Sequence, residues 1–140
     1  MQNKATDLFS DWAELGRDKG MADAHDPAVS QILDKILKDQ KTPFTFIDAG
    51  CGNGWVVRKF KDYSLCDDAH GLDGANHMIK KAQKLDPKGT YFNENIESWS
   101  PVQKYDIIFS METLYYFKKP EKIINKIYND GLNEKGLFIM

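Results

Sequence analysis

The sequence predicts an α/β domain: a parallel sheet joined by right-handed crossovers, covered by helices on both faces and preceded by two N-terminal helices. Three observations predict it. Beyond Phe44, short apolar runs alternate with stretches of helical periodicity. The first of these runs, Phe44-Thr45-Phe46-Ile47-Asp48-Ala49, passes directly into a glycine-rich turn and then a helical segment. The helical segments also carry their expected punctuation, with proline at the first helical position and glycine just past the end.

Taken in order, Leu8, Phe9, Trp12 and Leu15 recur at helical spacing and predict a first helix, broken at the Gly16–Gly20 region. Asp26 as N-cap and Pro27 at the first helical position open a second, whose apolar face is Ala28, Val29, Ile32, Leu33, Ile36 and Leu37. Strand one is Phe44–Ala49, and Trp55–Phe60 suits the helix after the glycine turn. Ala69–Asp73 reads as strand two, Ala75–Leu85 as a helix turning Met78, Ile79 and Ala82 inward, and Thr90–Phe92 as a short third strand. Tyr105–Ser110 is a fourth strand. A helix starts at Pro120, buries Ile123, Ile124 and Ile127 and stops near Gly131; Leu137–Met140 forms the fifth strand.

Composition narrows the function classes. A chain of 140 residues fits one domain, and 41% hydrophobic content suits an ordinary globular core. A net charge of −2 leaves no basic footprint for nucleic acid, and no stretch resembles a membrane span or a secretory signal. The two cysteines, Cys51 and Cys66, make no disulfide framework, which points to a reducing cytoplasm. His25, His70 and His77 lack metal-ligand spacing, so no metal is expected.

The stretch Asp48-Ala49-Gly50-Cys51-Gly52-Asn53-Gly54 is the most informative. Glycines between a strand and a helix let backbone approach a ligand at the carboxyl edge of a parallel sheet. The next residue is Trp55, where a dinucleotide fingerprint wants its third glycine, and no Gly-Lys-Ser/Thr phosphate loop is present. Asp48 would repel a pyrophosphate but suits an amino group or a sulfonium. Asp73 ends the next strand about twenty residues past the loop, where an acid accepts hydrogen bonds from ribose hydroxyls. Together these favour a positively charged nucleoside without phosphate, and S-adenosylmethionine answers that description.

The chain resembles the class I S-adenosylmethionine-dependent methyltransferases of the small-molecule type, from about Phe44 onward. Phe46–Gly54 is similar to the first motif and Gly71–Ile79 to the second-strand motif; Asn95-Ile96-Glu97 is similar to the third, and Tyr105–Glu112 to the fourth-strand motif. The resemblance implies a Rossmann-like sheet of order 3-2-1-4-5. It implies that Gly50 and Gly52, with Cys51 and Gly54 in the same loop, bring backbone to the methionine part of S-adenosyl-L-methionine, with Asp48 near its amino group. Asp73 would hold the ribose hydroxyls, and Gly74 and Met78 would lie against ribose and adenine. Asn95 would read the adenine amino group, Ile96 would cover the ring, and Ser110 would line the site below the sulfonium.

Residues 1–40 are then a helical lid or cap, with Trp12 and Arg17 as candidate contacts, Arg17 for the cofactor carboxylate. Residues 41–140 are the cofactor-binding domain. Methyl transfer needs alignment more than a catalytic group, so no catalytic residue is assigned; Glu112 and His25 are the bases worth testing. Ser110-Met111-Glu112-Thr113 stands where nucleic-acid amine methylases carry Asp/Asn-Pro-Pro-aromatic, which favours a small-molecule acceptor. The family's sheet continues with two further strands. The resemblance therefore implies a chain shortened after strand five, with part of the acceptor pocket absent and an apolar edge open to self-association. A non-catalytic S-adenosylmethionine-binding or scaffold module is the alternative.

Overall fold

The structure is a computed structural model and describes residues 6–8, 11, 15, 16 and 18–140. Most of the expected first helix therefore lies outside the described residues.

Helix α1 spans Asp18–Leu37, so it starts eight residues before the expected Asp26-Pro27 boundary. Proline inside a helix removes one N–H from the ladder, a cost tertiary anchoring must offset. Here the first turn is held by Asp18, 4% exposed, and the far half by Val29 and Leu33, both fully buried. Pro27 sits on the exposed side, and Asp26 pairs with Lys59 at 2.6 Å instead of capping.

The remaining elements alternate as expected: β1 Phe44–Ala49, α2 Trp55–Lys61, β2 Cys66–Asp73, α3 Asn76–Leu85, β3 Thr90–Asn93, β4 Tyr105–Phe109, α4 Pro120–Lys126 and β5 Leu132–Ile139. A single 3-10 turn, Leu114–Tyr116, follows β4, and α4 runs out through a π turn, Ile127–Gly131. The sheet has the order β3-β2-β1-β4-β5, and all neighbours are parallel. Two strands differ from expectation. β2 begins three residues earlier, at Cys66. β5 begins at Leu132 and not at Leu137, because its polar segment Asn133–Gly136 bulges between two register segments, with Lys135 at φ 64°.

Each face of the sheet carries its own core. On one, Phe44 and Phe46 of β1 meet α1, α2 and α3, and Phe46 stacks on Phe60 with ring centroids 3.6 Å apart. On the other, Ile47 and Ala49 meet Ile123 and Ile127 of the last helix, with Trp99 and Tyr105. This alternation along β1 is the period-two pattern of a strand buried on both faces. At its amino end, a polar bridge fixes the register of three strands. Asp106 accepts the Thr45 N–H at 2.9 Å and the Asn133 amide at 2.9 Å, while its own N–H donates to Thr45 Oγ1 at 3.1 Å.

Candidate functional site

Strand order reverses between β1 and β4, and in open parallel sheets that switch point opens a crevice at the carboxyl ends of the strands. The crevice here has two lobes. The larger, about 690 Å³ and open to solvent, is lined by Asp73, Gly74, Met78, Asn95 and Ile96 together with Gly50 and Gly52. The smaller, about 490 Å³, is lined by Asp48, Cys51 and the same two glycines, with Asp18 and His25 of α1 closing one side. Asp73, Gly74, Asn95 and Ile96 thus line one lobe, and Asp48 and Cys51 the other. Gly50, Gly52, Met78, Met111 and Glu112 border both.

The glycine loop that divides the lobes is held by hydrogen bonds to β2. The Gly50 and Cys51 N–H groups both donate to the Leu72 carbonyl, at 2.7 and 2.9 Å. The Gly52 N–H donates to Asp73 Oδ2 and the Ala75 N–H to Asp73 Oδ1, each at 2.8 Å. Gly50, at φ 96°, cannot carry a side chain: a Cβ there would strike Thr113 of the loop after β4. The two loops close on each other only because position 50 is bare.

Asp48 and Asp73 differ in their surroundings. Burial pushes the Asp73 carboxyl above its ordinary range, and its two backbone donors pull it partly back. Asp48 is 3% exposed, and among the described residues nothing donates a hydrogen bond to its side chain. Burial, with the Asp73 charge as a second cause, pushes it well above the carboxylate range. Among the described residues no enclosed side-chain oxygen or nitrogen lacks a partner, so this carboxylate reaches the lobe, where a cationic ligand can answer its charge. Cys51 is 2% exposed; burial, then the two carboxylates, push its thiol well up, so it packs in the turn and is no nucleophile.

Asn95 lines the larger lobe with its side-chain oxygen already accepting the Glu97 N–H at 2.9 Å, which orders the turn after β3. Tyr116 and Phe117 add aromatic wall to that lobe, whereas Tyr115 is 65% exposed. His25 and Glu112 meet at the smaller lobe, with Nε2 to Oε2 3.4 Å apart, and Glu112 adopts φ 51°.

Two expected contacts lie elsewhere. Ser110 is 2% exposed and lines neither lobe; its hydroxyl donates to the Ala49 carbonyl at 2.7 Å, tying β4 to β1 beneath the cleft. Gly54 also lines neither lobe. Its glycine requirement comes from φ 79° and from the Tyr91 ring, 2.6 Å from where a Cβ would stand. Trp12 and Arg17 lie outside the described residues. Sequence reasoning missed Asp18, Asn53 and Thr113, whose roles depend on partners distant in the chain. Among the described residues no three or more His, Cys, Asp or Glu side chains could hold a metal ion, and no helix is long and apolar enough to cross a membrane.

A family described as "Methyltransferase domain" matches residues 21–140. The chain belongs to this family. Its sheet order and motifs are those of the class I S-adenosylmethionine-dependent methyltransferases. The malonyl-[acyl-carrier protein] O-methyltransferase of Anoxybacillus flavithermus is 31% identical over 96 residues, 67% of this chain and 37% of that protein. The trans-aconitate 2-methyltransferase of Rhizobium etli is 28% identical over 91 residues, 65% of this chain and 35% of that protein. The chain spans about a third of the length of these curated relatives. Among solved structures, a Haloferax volcanii methyltransferase in complex with the activator Trm112 superposes with a TM-score of 0.79 at 26% identity, covering 99% of this chain and 59% of that one.

Proposed function

We propose that this methyltransferase domain binds S-adenosyl-L-methionine across the two lobes and directs its methyl group to a small-molecule acceptor. The observation that carries this reading is the carboxylate of Asp48, which borders the smaller lobe with no hydrogen-bond donor among the described residues, across the glycine loop from Asp73 on the larger. One suits an ammonium group and the other a ribose, and the Gly52 N–H between them is already taken by Asp73.

When bound, S-adenosylmethionine supplies a methyl group already activated on a sulfonium. The chain's part is to bind and align. Asp48 would meet the amino group, Asp73 the ribose hydroxyls, Met78 and Ile96 the faces of the nucleoside, and Asn95 the adenine edge. The loop from Met111 to Thr113 would form the wall on the acceptor side, and excluding water there lets acceptor and methyl meet at attack distance. Glu112, beside His25, is the residue to take a proton from an acceptor that must lose one. Residues 1–40 act as a cap, the role suited to α1, which walls the smaller lobe. A reducing, cytoplasmic setting fits two free cysteines. Self-association of the 140-residue chain through the outer edge of β5 belongs to the same reading, and sedimentation measures it.

Titration calorimetry with S-adenosylmethionine, S-adenosylhomocysteine and NAD tests the binding. Tighter binding of NAD overturns the proposal. Methyl transfer to a panel of small acids, amines and alcohols tests the activity, and binding without transfer to any of them favours the non-catalytic module.

A further inference from the structure

Asp18 is a buried acid for which neither the motifs nor methyl transfer has any use. It is 4% exposed at the start of α1, and it reaches two other elements. Its Oδ2 accepts the side-chain amide of Asn53 at 2.7 Å, and its Oδ1 accepts Lys81 Nζ of α3 at 2.6 Å. Asn53 is 7% exposed in the middle of the glycine turn. Its side-chain oxygen accepts the Trp55 N–H at 3.1 Å, and its main-chain carbonyl accepts from Arg58 in the last turn of α2. The Trp55 N–H is one of the first four of α2, which have no partner within the helix.

A carboxylate only accepts, so Asp18 requires the NH₂ end of the Asn53 amide. The oxygen end is thereby turned to Trp55. Without Asp18, the amide would lose the contact that fixes its orientation, and the Trp55 N–H would lose its assured acceptor. Lys81 has a second effect. It neutralises Asp18, so that the smaller lobe presents Asp48, without a donor among the described residues, beside an acid whose charge is already answered.

We propose that Asp18 is a positioning residue for the cofactor loop: acting through Asn53, it orders the Gly52–Trp55 turn from the cap helix, as a second tether beside the Asp73–Gly52 bond. This deepens the proposed function and rests on it for the ligand. Cofactor retention then depends on docking of α1, although Asp18 need not touch the cofactor.

The test combines native-state amide exchange with affinity for S-adenosylhomocysteine. Asp18→Ala should speed exchange of the Trp55 amide on the order of tenfold, leave Ile47 in the core unchanged, and weaken ligand binding on the order of tenfold, the loss expected of one charge-assisted hydrogen bond. Asn53→Ala should weaken binding similarly, and the double variant should be no worse than the poorer single, because both remove one interaction. Asp18→Asn keeps an acceptor oxygen and should restore most of the Trp55 protection. Asp26→Ala, which removes the exposed pair to Lys59, should change neither readout. If Asp18→Ala fails to fold, Asp18→Asn and Asn53→Ala carry the test. Unchanged Trp55 exchange, additive losses in the double variant, or a lower melting temperature with exchange and affinity both intact would each overturn the proposal. If the wild-type chain does not bind S-adenosylhomocysteine, the proposed function fails, and the exchange experiment alone decides the role of Asp18 in the loop.

Discussion

Replacing Asp48 by Asn should make the free protein more stable and the ligand-binding protein worse. The side chain keeps its shape and loses its charge. In the free protein that charge is poorly solvated at the wall of the smaller lobe, repelled by Asp73 and given no hydrogen bond by any donor among the described residues. A buried polar group without a partner costs about 1–3 kcal/mol, and an ion costs more than an amide. A gain on the order of 1 kcal/mol in the free protein follows, raising the melting temperature by about 3–4 °C for a chain of this size. In the complex the sign reverses. A carboxylate bonded to an ammonium contributes about 1.5–3 kcal/mol, so affinity for S-adenosylmethionine should fall by about 10- to 150-fold. Thermal melts of the free protein and titration calorimetry give the two halves separately. A variant that melts lower and binds equally well would show that Asp48 serves the fold, and the assignment of the smaller lobe to an amino group would be wrong.

The same two carboxylates set a pH dependence. Both have folded-state values raised above the ordinary 3.8. The folded state therefore holds more protons than the unfolded state between 3.8 and the raised values, so the free protein gains stability as pH falls into that window. Protonation of Asp48 also removes the attraction for an ammonium, so S-adenosylmethionine affinity should fall over the same range; parallel trends in melting temperature and affinity would contradict this. Asp73→Ala should lower affinity on the order of a hundredfold by calorimetry, since it removes the ribose acid and frees Gly52 at once, and a loss below threefold with an unchanged circular dichroism spectrum would withdraw the ribose role. Gly54→Ala meets both a left-handed backbone and the Tyr91 ring, and should cost about 3 kcal/mol, or about 10 °C in melting temperature; an unchanged melt would contradict this.

Sequence reasoning reached the sheet because its strands are short apolar runs bounded by strong turn signals, and it reached both lobes because a glycine turn and two strand-end acids are local features. It failed where a distant partner overrode a local rule. Asp26-Pro27 has every mark of a helix start, but α1 runs through it, since Asp18 and Val29 anchor both sides. Asn133-Glu134-Lys135-Gly136 falls outside the expected fifth strand, but the Asn133 bond to Asp106 carries it into β5 as a bulge. Gly54 and Ser110 sit inside the right motifs and still point to the interior. Their neighbours, Tyr91 and Ala49, are visible only once β3 and β1 are in place. Asp18 had no signal at all, because its meaning lies in Asn53, 35 residues later.

The Thr45–Asp106 bridge joins residues 61 positions apart. Closing that span is slow relative to forming the neighbouring hairpin-free units, because long-range parallel pairing must overcome loop entropy before it gains contacts. The glycine loop leaves the far end of the same strand, so the cleft exists only after β1 has found β4 as well as β2. A ligand that fits the cleft therefore selects the finished molecule over every partly assembled one. At a hundredfold excess over its dissociation constant it adds about 2.7 kcal/mol to that preference. In the presence of proteases that cut open chains, the lifetime of this protein should then rise and fall with the supply of its methyl donor, whether or not any methyl group is being transferred.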